Sequence, residues 1–480
     1  MPTKKLPLRR LVLLFSFACV SFTSAAQLRP QQPPVAYPAQ LLSDLAALRD
    51  SALSSDYAYR QVAHLTENIG PRMGGSPQAE HAVTYVAEEL RKLGLEVHLE
   101  EVSVPQWVRG IETAELVQYP GQAPGTTQKI VVTTLSGSSA TPTAGVTAEV
   151  IVVGSFEELR RLGREKVAGK IVLFNVPFDK QKAAAGHAGD AYGEAVAYRA
   201  AGAKAAAELG AAATLIRSVG GAEYRLPHTG YSLAAGIPDG AVTAEDADLI
   251  AHLVKQGTVQ LHLTLTPQKF AEVVSHNVVA DLKGSEHPEQ VVVVSGHLDS
   301  WDLGTGAIDD GAGVAVALAT AHLIQGLHLH PKRTIRVIAW MDEEAGGRGH
   351  DAYAKQHASE IANHVAAIES DLGAGHPMGY VAKITPAAAA FLEPMLEVMR
   401  STGCSALRQT EYSPGSDISP LVKAGVPGFA PMQDSRTYFN YHHTAADTLD
   451  KIVPRELQEN AAAMAVLAYT LANLPQTLPR

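Results

Sequence analysis

Val291 to Val294 is a run of four valines with no polar alternation, the pattern of a strand buried on both faces. Asn277 to Leu282, Thr334 to Trp340 and His364 to Glu369 have a similar apolar character and read as further strands. Between them, Ala312 to Gln325 and the stretch around His350 to Ser359 have helical composition. Strands alternating with helices predict an α/β fold: a mostly parallel, mixed sheet flanked by helices on both faces. Upstream, Gln40 to Ser54 and Tyr57 to Ile69 are helical, and Gly70-Pro71 stops the second. Ser76-Pro77 opens a long amphipathic helix through Leu93, Gly94 closes it, and Leu95 to Val104 alternates as a strand. Downstream, helices are predicted over 387–400, 418–424 and 455–474, with a strand from Gly425 to Ala430.

The pattern changes between about 121 and 270, where Pro, Gly, Thr and Ser become frequent and short strands alternate with short helices. The chain therefore divides into a leader (1–26), a first part of the main domain (27–120), a β-rich insert (121–270) and the rest of the main domain (271–480). In the leader, a basic start (Lys4 to Arg10) precedes the apolar run Leu11 to Phe22 and the small residues Ser24-Ala25-Ala26, the layout of an export signal cleaved near Ala26. The run is too short to span a bilayer, so no membrane span is expected after cleavage. Cys19 raises lipoprotein processing, although Ser16-Phe17-Ala18 matches it poorly, and Arg9-Arg10 lies in flanks that fit a twin-arginine signal badly. Residues 27–37 are Pro- and Gln-rich and read as an arm. Cleavage leaves Cys404 as the one cysteine, so the exported chain has no internal disulfide, and Cys404 reads as buried filler. A net charge of −10 argues against nucleic acid as a partner.

Three strands end in polar residues: His297, Asp342-Glu343-Glu344 and Glu369-Ser370-Asp371. Neighbouring ends of a parallel sheet lie side by side, where open α/β sheets place their chemistry. His297 is a nitrogen ligand that Asp299 can orient, and Asp309, at the start of a helix, is a carboxylate able to bridge two cations. In Tyr441-His442-His443-Thr444-Ala445-Ala446-Asp447, an extended backbone would send the two imidazoles opposite ways, making one a ligand; His443, four before Asp447, is the choice. His297, Asp309, Glu344, Asp371 and His443 then suit two zinc ions sharing one carboxylate, with Asp299 and Asp447 behind them. Manganese or cobalt would fit the same oxygen–nitrogen set. Glu343, left over beside a ligand, is placed as a general base. Tyr441 and Ser416 are the candidates for gripping substrate. Glu67 and Arg72 read as solvated charge, and His187 and His228 as structural.

The motifs EQVVVVSGHLDSWDLGTGAIDDGAG, PKRTIRVIAWMDEEAGGRG, IESDLG, KAGVPG and YHHTAADT resemble those of the co-catalytic zinc exopeptidases of the carboxypeptidase Q type, in this order and over nearly all of the exported chain. VAGKIVLF, GAAATLIRS, His228-Thr229-Gly230 and GIPDGAVTAEDA resemble a protease-associated domain, expected to carry no catalytic group. The resemblance implies that His297 and Asp371 bind one zinc, Glu344 and His443 the other, that Asp309 bridges them and that Glu343 is the base. It also implies a cis peptide after Asp309, a homodimer, and small peptides, especially dipeptides with free termini, as substrates. A broader aminopeptidase is the alternative. A glutaminyl cyclase-like enzyme would need only one zinc, and a receptor or scaffold would lack ligands or base, which this chain does not.

Overall fold

The computed structural model describes residues 35–480; the leader, Cys19 and most of the arm lie outside the described residues. The strands predicted from the apolar runs form one eight-stranded sheet, in the order 96–104, 273–282, 333–340, 287–297, 364–369, 428–433, 377–383 and 406–409. Its four central strands, 333–340 to 428–433, run parallel. Strands 96–104 and 273–282 are antiparallel to their neighbours, as is 377–383 to 428–433. The sheet is thus parallel at the centre, where both faces are covered and every residue of Arg333–Trp340 and His364–Glu369 is buried. Helix Ala312–Gly326 is apolar nearly all round because it is enclosed: it packs against Pro454–Asn473, Ala39–Ala52 and Tyr57–Ala63 as well as against the sheet.

The chain leaves this sheet after Val104 and returns at Val273, and those two residues pair across adjacent strands. Everything between is therefore an excursion from one sheet edge. It builds a second eight-stranded sheet, ordered 128–130, 112–118, 260–265, 146–153, 171–174, 213–217, 239–242 and 132–134. Helix Ala188–Glu208 packs against strand Ala213–Arg217 of that sheet. The second sheet begins at Glu112, somewhat before the composition shift.

Two local expectations fail. The helix predicted over 387–400 is two, Pro386–Ala389 and Glu393–Met399. Pro394 lacks the N–H needed inside a continuous helix and sits in the first turn of the second one, where none is needed. Arg72 is fully buried rather than solvated. Its guanidinium donates to the carbonyls of Leu298, Thr305 and Gly306 at 2.9, 2.7 and 2.9 Å, and so serves as the partner of a loop without regular structure. Glu67 is exposed, as expected. Cys404 is buried, and burial pushes its thiol up to about 12.

Candidate metal centre and cleft

Strand His287–His297 delivers its last residue to the C-terminal edge of the parallel centre, and the loop framed by Arg72 carries the chain on to Asp309. Asp310 fastens this connection at both ends, accepting the His297 N–H at 3.0 Å and the Gly313 N–H at 2.9 Å. The approach is so close that a Cβ at Gly313 would lie 2.0 Å from the Ser370 carbonyl oxygen, which requires glycine. The Asp309–Asp310 peptide is cis.

The five predicted ligand-type residues meet. His297 Nε2 lies 3.1 Å from Asp309 Oδ1 and 3.3 Å from Asp371 Oδ1. His443 Nε2 lies 3.2 Å from Asp309 Oδ2 and 3.0 Å from Glu344 Oε2. The result is two three-residue groups, His297–Asp309–Asp371 and Asp309–Glu344–His443, joined through Asp309. All but Asp371, which is half-buried, are buried.

The charges are poorly accommodated without cations. Burial opposes ionisation of Asp309, but the rings of His442, His297 and His443 hold it well below the usual carboxylate range. Burial, and then repulsion from Asp309, pushes Glu344 up to about 8. Burial lifts Asp371 to about 6, with His297 opposing. Although burial disfavours their charge, Asp371 and Asp309 hold His297 well above the imidazole range, and Glu344 and Asp309 raise His443 to about 9. Asp309 Oδ2 and Glu344 Oε1 are buried and accept no hydrogen bond among the described residues. Mixed imidazole and carboxylate donors with lone pairs left over form a set that divalent cations satisfy.

The supporting residues act differently from expectation. His297 Nδ1 donates to the backbone carbonyl of Asp299 at 3.0 Å, not to its carboxylate, which is 3.9 Å away. The Asp299 carboxylate instead accepts the N–H groups of Glu343 and Glu344 and fixes that turn. Asp447 does not hold His443; it accepts the N–H groups of Ala307 and Ile308, both at 2.8 Å, and so braces the approach to Asp309. Nor do His442 and His443 point apart. The backbone there is a turn, with His443 at φ 59°, and the two rings stack with centroids 3.6 Å apart. His442 Nε2 consequently stands 3.4 Å from Asp309 Oδ2.

A cleft of about 470 Å³ opens on the centre and is lined by Glu343, Glu344, Asp371, Ser416 and His443, among others. Glu343 is half-buried, outside both groups, and its Oε1 accepts the Ser416 hydroxyl at 2.8 Å. Tyr441 lines an adjoining pocket instead, with Lys451 5.3 Å from its ring. The opposite wall belongs to the excursion: Tyr192, Val196, Arg199 and Tyr231. Arg199 Nε donates to the Tyr231 carbonyl at 3.2 Å, and the guanidinium lies 5.6 Å from the Tyr192 ring. His228 is buried, as a structural histidine would be, but it reaches the centre, its Nε2 lying 3.0 Å from His442 Nδ1. His187 is exposed and distant in role, preceding helix Ala188–Glu208. Nothing local in the sequence marked Arg199; its place in the wall exists only once the two sheets are together.

Sheet order, ligand-type groups and cleft define a metallopeptidase of the α/β exopeptidase class. Residues 277–468 match peptidase family M28, and the chain belongs to that family. It is 37% identical to carboxypeptidase Q of Bos taurus over 429 residues, covering 88% of this chain and 87% of that protein, and equally so to the Homo sapiens enzyme. Its fold matches the crystal structure of a peptidase M28 precursor from Shewanella amazonensis with a TM-score of 0.86 at 37% identity, covering 92% of this chain and 98% of that one. A zinc aminopeptidase from Bacillus subtilis shares the fold at 22% identity, with a TM-score of 0.63 over 88% of this chain and 96% of its own.

Proposed function

We propose that this peptidase is an exopeptidase acting on small peptides, dipeptides with free termini above all, through two zinc ions. One ion would be held by His297, Asp371 and Asp309, the other by Glu344, His443 and Asp309. The observation that carries this is the division of one carboxylate: Asp309 turns Oδ1 to His297 and Oδ2 to His443. When bound, such a pair lowers the pKa of a water and polarises the scissile carbonyl. Glu343 takes the proton of the attacking water and returns it to the departing amine. Ser416 fixes the Glu343 carboxylate from one side and the Asp299-bound turn fixes its backbone.

Arg199 supports the choice of small, free-ended peptides. It is a buried cation in the wall of a cleft that also holds Asp309, Glu343, Glu344 and Asp371, and it pairs with no carboxylate among the described residues. A substrate's terminal carboxylate is the group such a guanidinium recognises. On this reading Arg199→Met raises KM about 10- to 100-fold for dipeptides, from the ~1.5–3 kcal/mol of a hydrogen bond to a charged group, and leaves C-terminally amidated dipeptides unaffected. Equal losses on both would remove carboxylate recognition from the reading and favour the broader aminopeptidase.

The same reading takes the excursion as a protease-associated domain, the leader as an export signal and the assembly as a homodimer, which light scattering tests. The central experiment is Glu343→Gln. Both metals should remain, by elemental analysis, while kcat falls about 10²- to 10⁴-fold. Retained turnover would take Glu343 out of the role. A single bound metal in the wild-type chain would favour a glutaminyl cyclase-like site instead.

A further inference from the structure

The two metal-facing histidines are held from different places. His297 Nδ1 donates to the carbonyl of Asp299, two residues along its own chain. His443 Nδ1 faces the carbonyl of Thr229 at 3.2 Å, and Thr229 N–H donates back to the His443 carbonyl at 2.9 Å. Thr229 belongs to the excursion, 214 residues away in sequence. Its side chain donates to the Thr134 carbonyl at 3.0 Å and accepts at 3.1 Å from Arg109, whose guanidinium pairs with Asp302 at 2.6 Å. His228, the preceding residue, meets His442.

Two contacts compete over the tautomer of His443. Arg199 Nη1 lies 3.2 Å from the same His443 Nδ1. If Nδ1 accepted from Arg199, the ring proton would sit on Nε2, aimed at Glu344, and the nitrogen would be closed to a cation. If Nδ1–H donates to Thr229, Nε2 presents its lone pair to the Asp309–Glu344 pocket. Only the second arrangement makes His443 a ligand, and such outer partners fix both ring orientation and basicity.

We propose that the excursion is a working part of the metal centre: its Thr229 carbonyl is the positioning group of His443, so the Asp309–Glu344–His443 half takes its ion only when the excursion is docked, while the His297–Asp309–Asp371 half does not depend on it. The proposal rests on the ligand assignment above. It gives the centre an order of loading, with the self-contained half filling first.

The test is calorimetric titration of the full-length chain, stripped by chelation, with zinc against a competing chelator. The wild-type chain should show two classes of site, and Glu344→Ala should identify the second by abolishing it. Thr229→Pro removes the N–H that docks this segment on His443, and should weaken the second class about 10- to 100-fold with the first unchanged. A misfolded variant would lose both classes, so the first is an internal control. Arg109→Met removes one of the two partners of Thr229 Oγ1, the Thr134 carbonyl remaining, and should act in the same direction more weakly. Arg199→Met removes the competing donor and should leave the second class as tight or tighter. A cobalt-loaded sample supplies a spectroscopic readout, since the band of the second site should change in Thr229→Pro and that of the first should not. Unchanged or equally weakened classes in both Thr229→Pro and Arg109→Met overturn the proposal. Failure of the wild-type chain to bind two ions would instead overturn the ligand assignment.

Discussion

Asp239 is a carboxylate buried in the second sheet with neither oxygen hydrogen-bonded among the described residues. Burial pushes it up to about 8. Unfolded, it would titrate near 3.9. A folded value above the unfolded one means the native state binds the extra proton, so its stability is complete below about pH 4 and falls as pH rises toward 8. Asp239→Asn keeps the shape and removes the titration. Its melting temperature relative to wild type should therefore rise with pH by several degrees between pH 4 and 8, in scanning calorimetry at matched ionic strength. A difference that does not change with pH would show that Asp239 is paired or solvated. Similar burial at Glu344 is relieved differently, because there a second acid and two imidazoles turn the same discomfort into affinity for a cation.

Among the elements, buried strands were the most legible because their message is local. Val291 to Val294, and the polar residues at the ends of three parallel strands, are enough to foresee that His297, Glu344 and Asp371 gather at one edge of the sheet. His443 and Asp309 were legible by residue type and motif, but their support was not. The stacked pair His442–His443 depends on a left-handed turn, which the Tyr441–Asp447 stretch does not announce. Arg72 looked like a surface charge because its partners are carbonyls far along the chain, and carbonyls leave no mark in a sequence. The same reason hid Thr229, and hid that Asp299, named from the sequence as the residue orienting His297, does so through its backbone rather than its carboxylate. The excursion was recognised as a separate β-rich element, yet expected to stay out of the chemistry. Helix Ala188–Glu208 is too weakly patterned to show which face it presents, and that face carries Tyr192 and Arg199 into the cleft.

At the scale of the whole molecule, two sheets meet over a group of buried charges that neither can satisfy alone. The central sheet supplies the carboxylates and one imidazole; the excursion supplies the wall and the hold on the other imidazole. Cations that bind only this arrangement should therefore stabilise both layers together. At a free concentration 100-fold above its Kd, each ion adds about 2.7 kcal/mol. Exhaustive chelation should lower the melting temperature by several degrees, and zinc should restore it in proportion to the logarithm of its free concentration. If a second ion engages His443, which the excursion holds, hydrogen exchange should show the effect spreading beyond the ligands, with slower exchange at the Thr229 amide on loading. Protection confined to strands 287–297 and 364–369 would mean that the metals stabilise the central sheet alone. An unchanged melting temperature would mean that the buried acids are balanced by protons and not by metal.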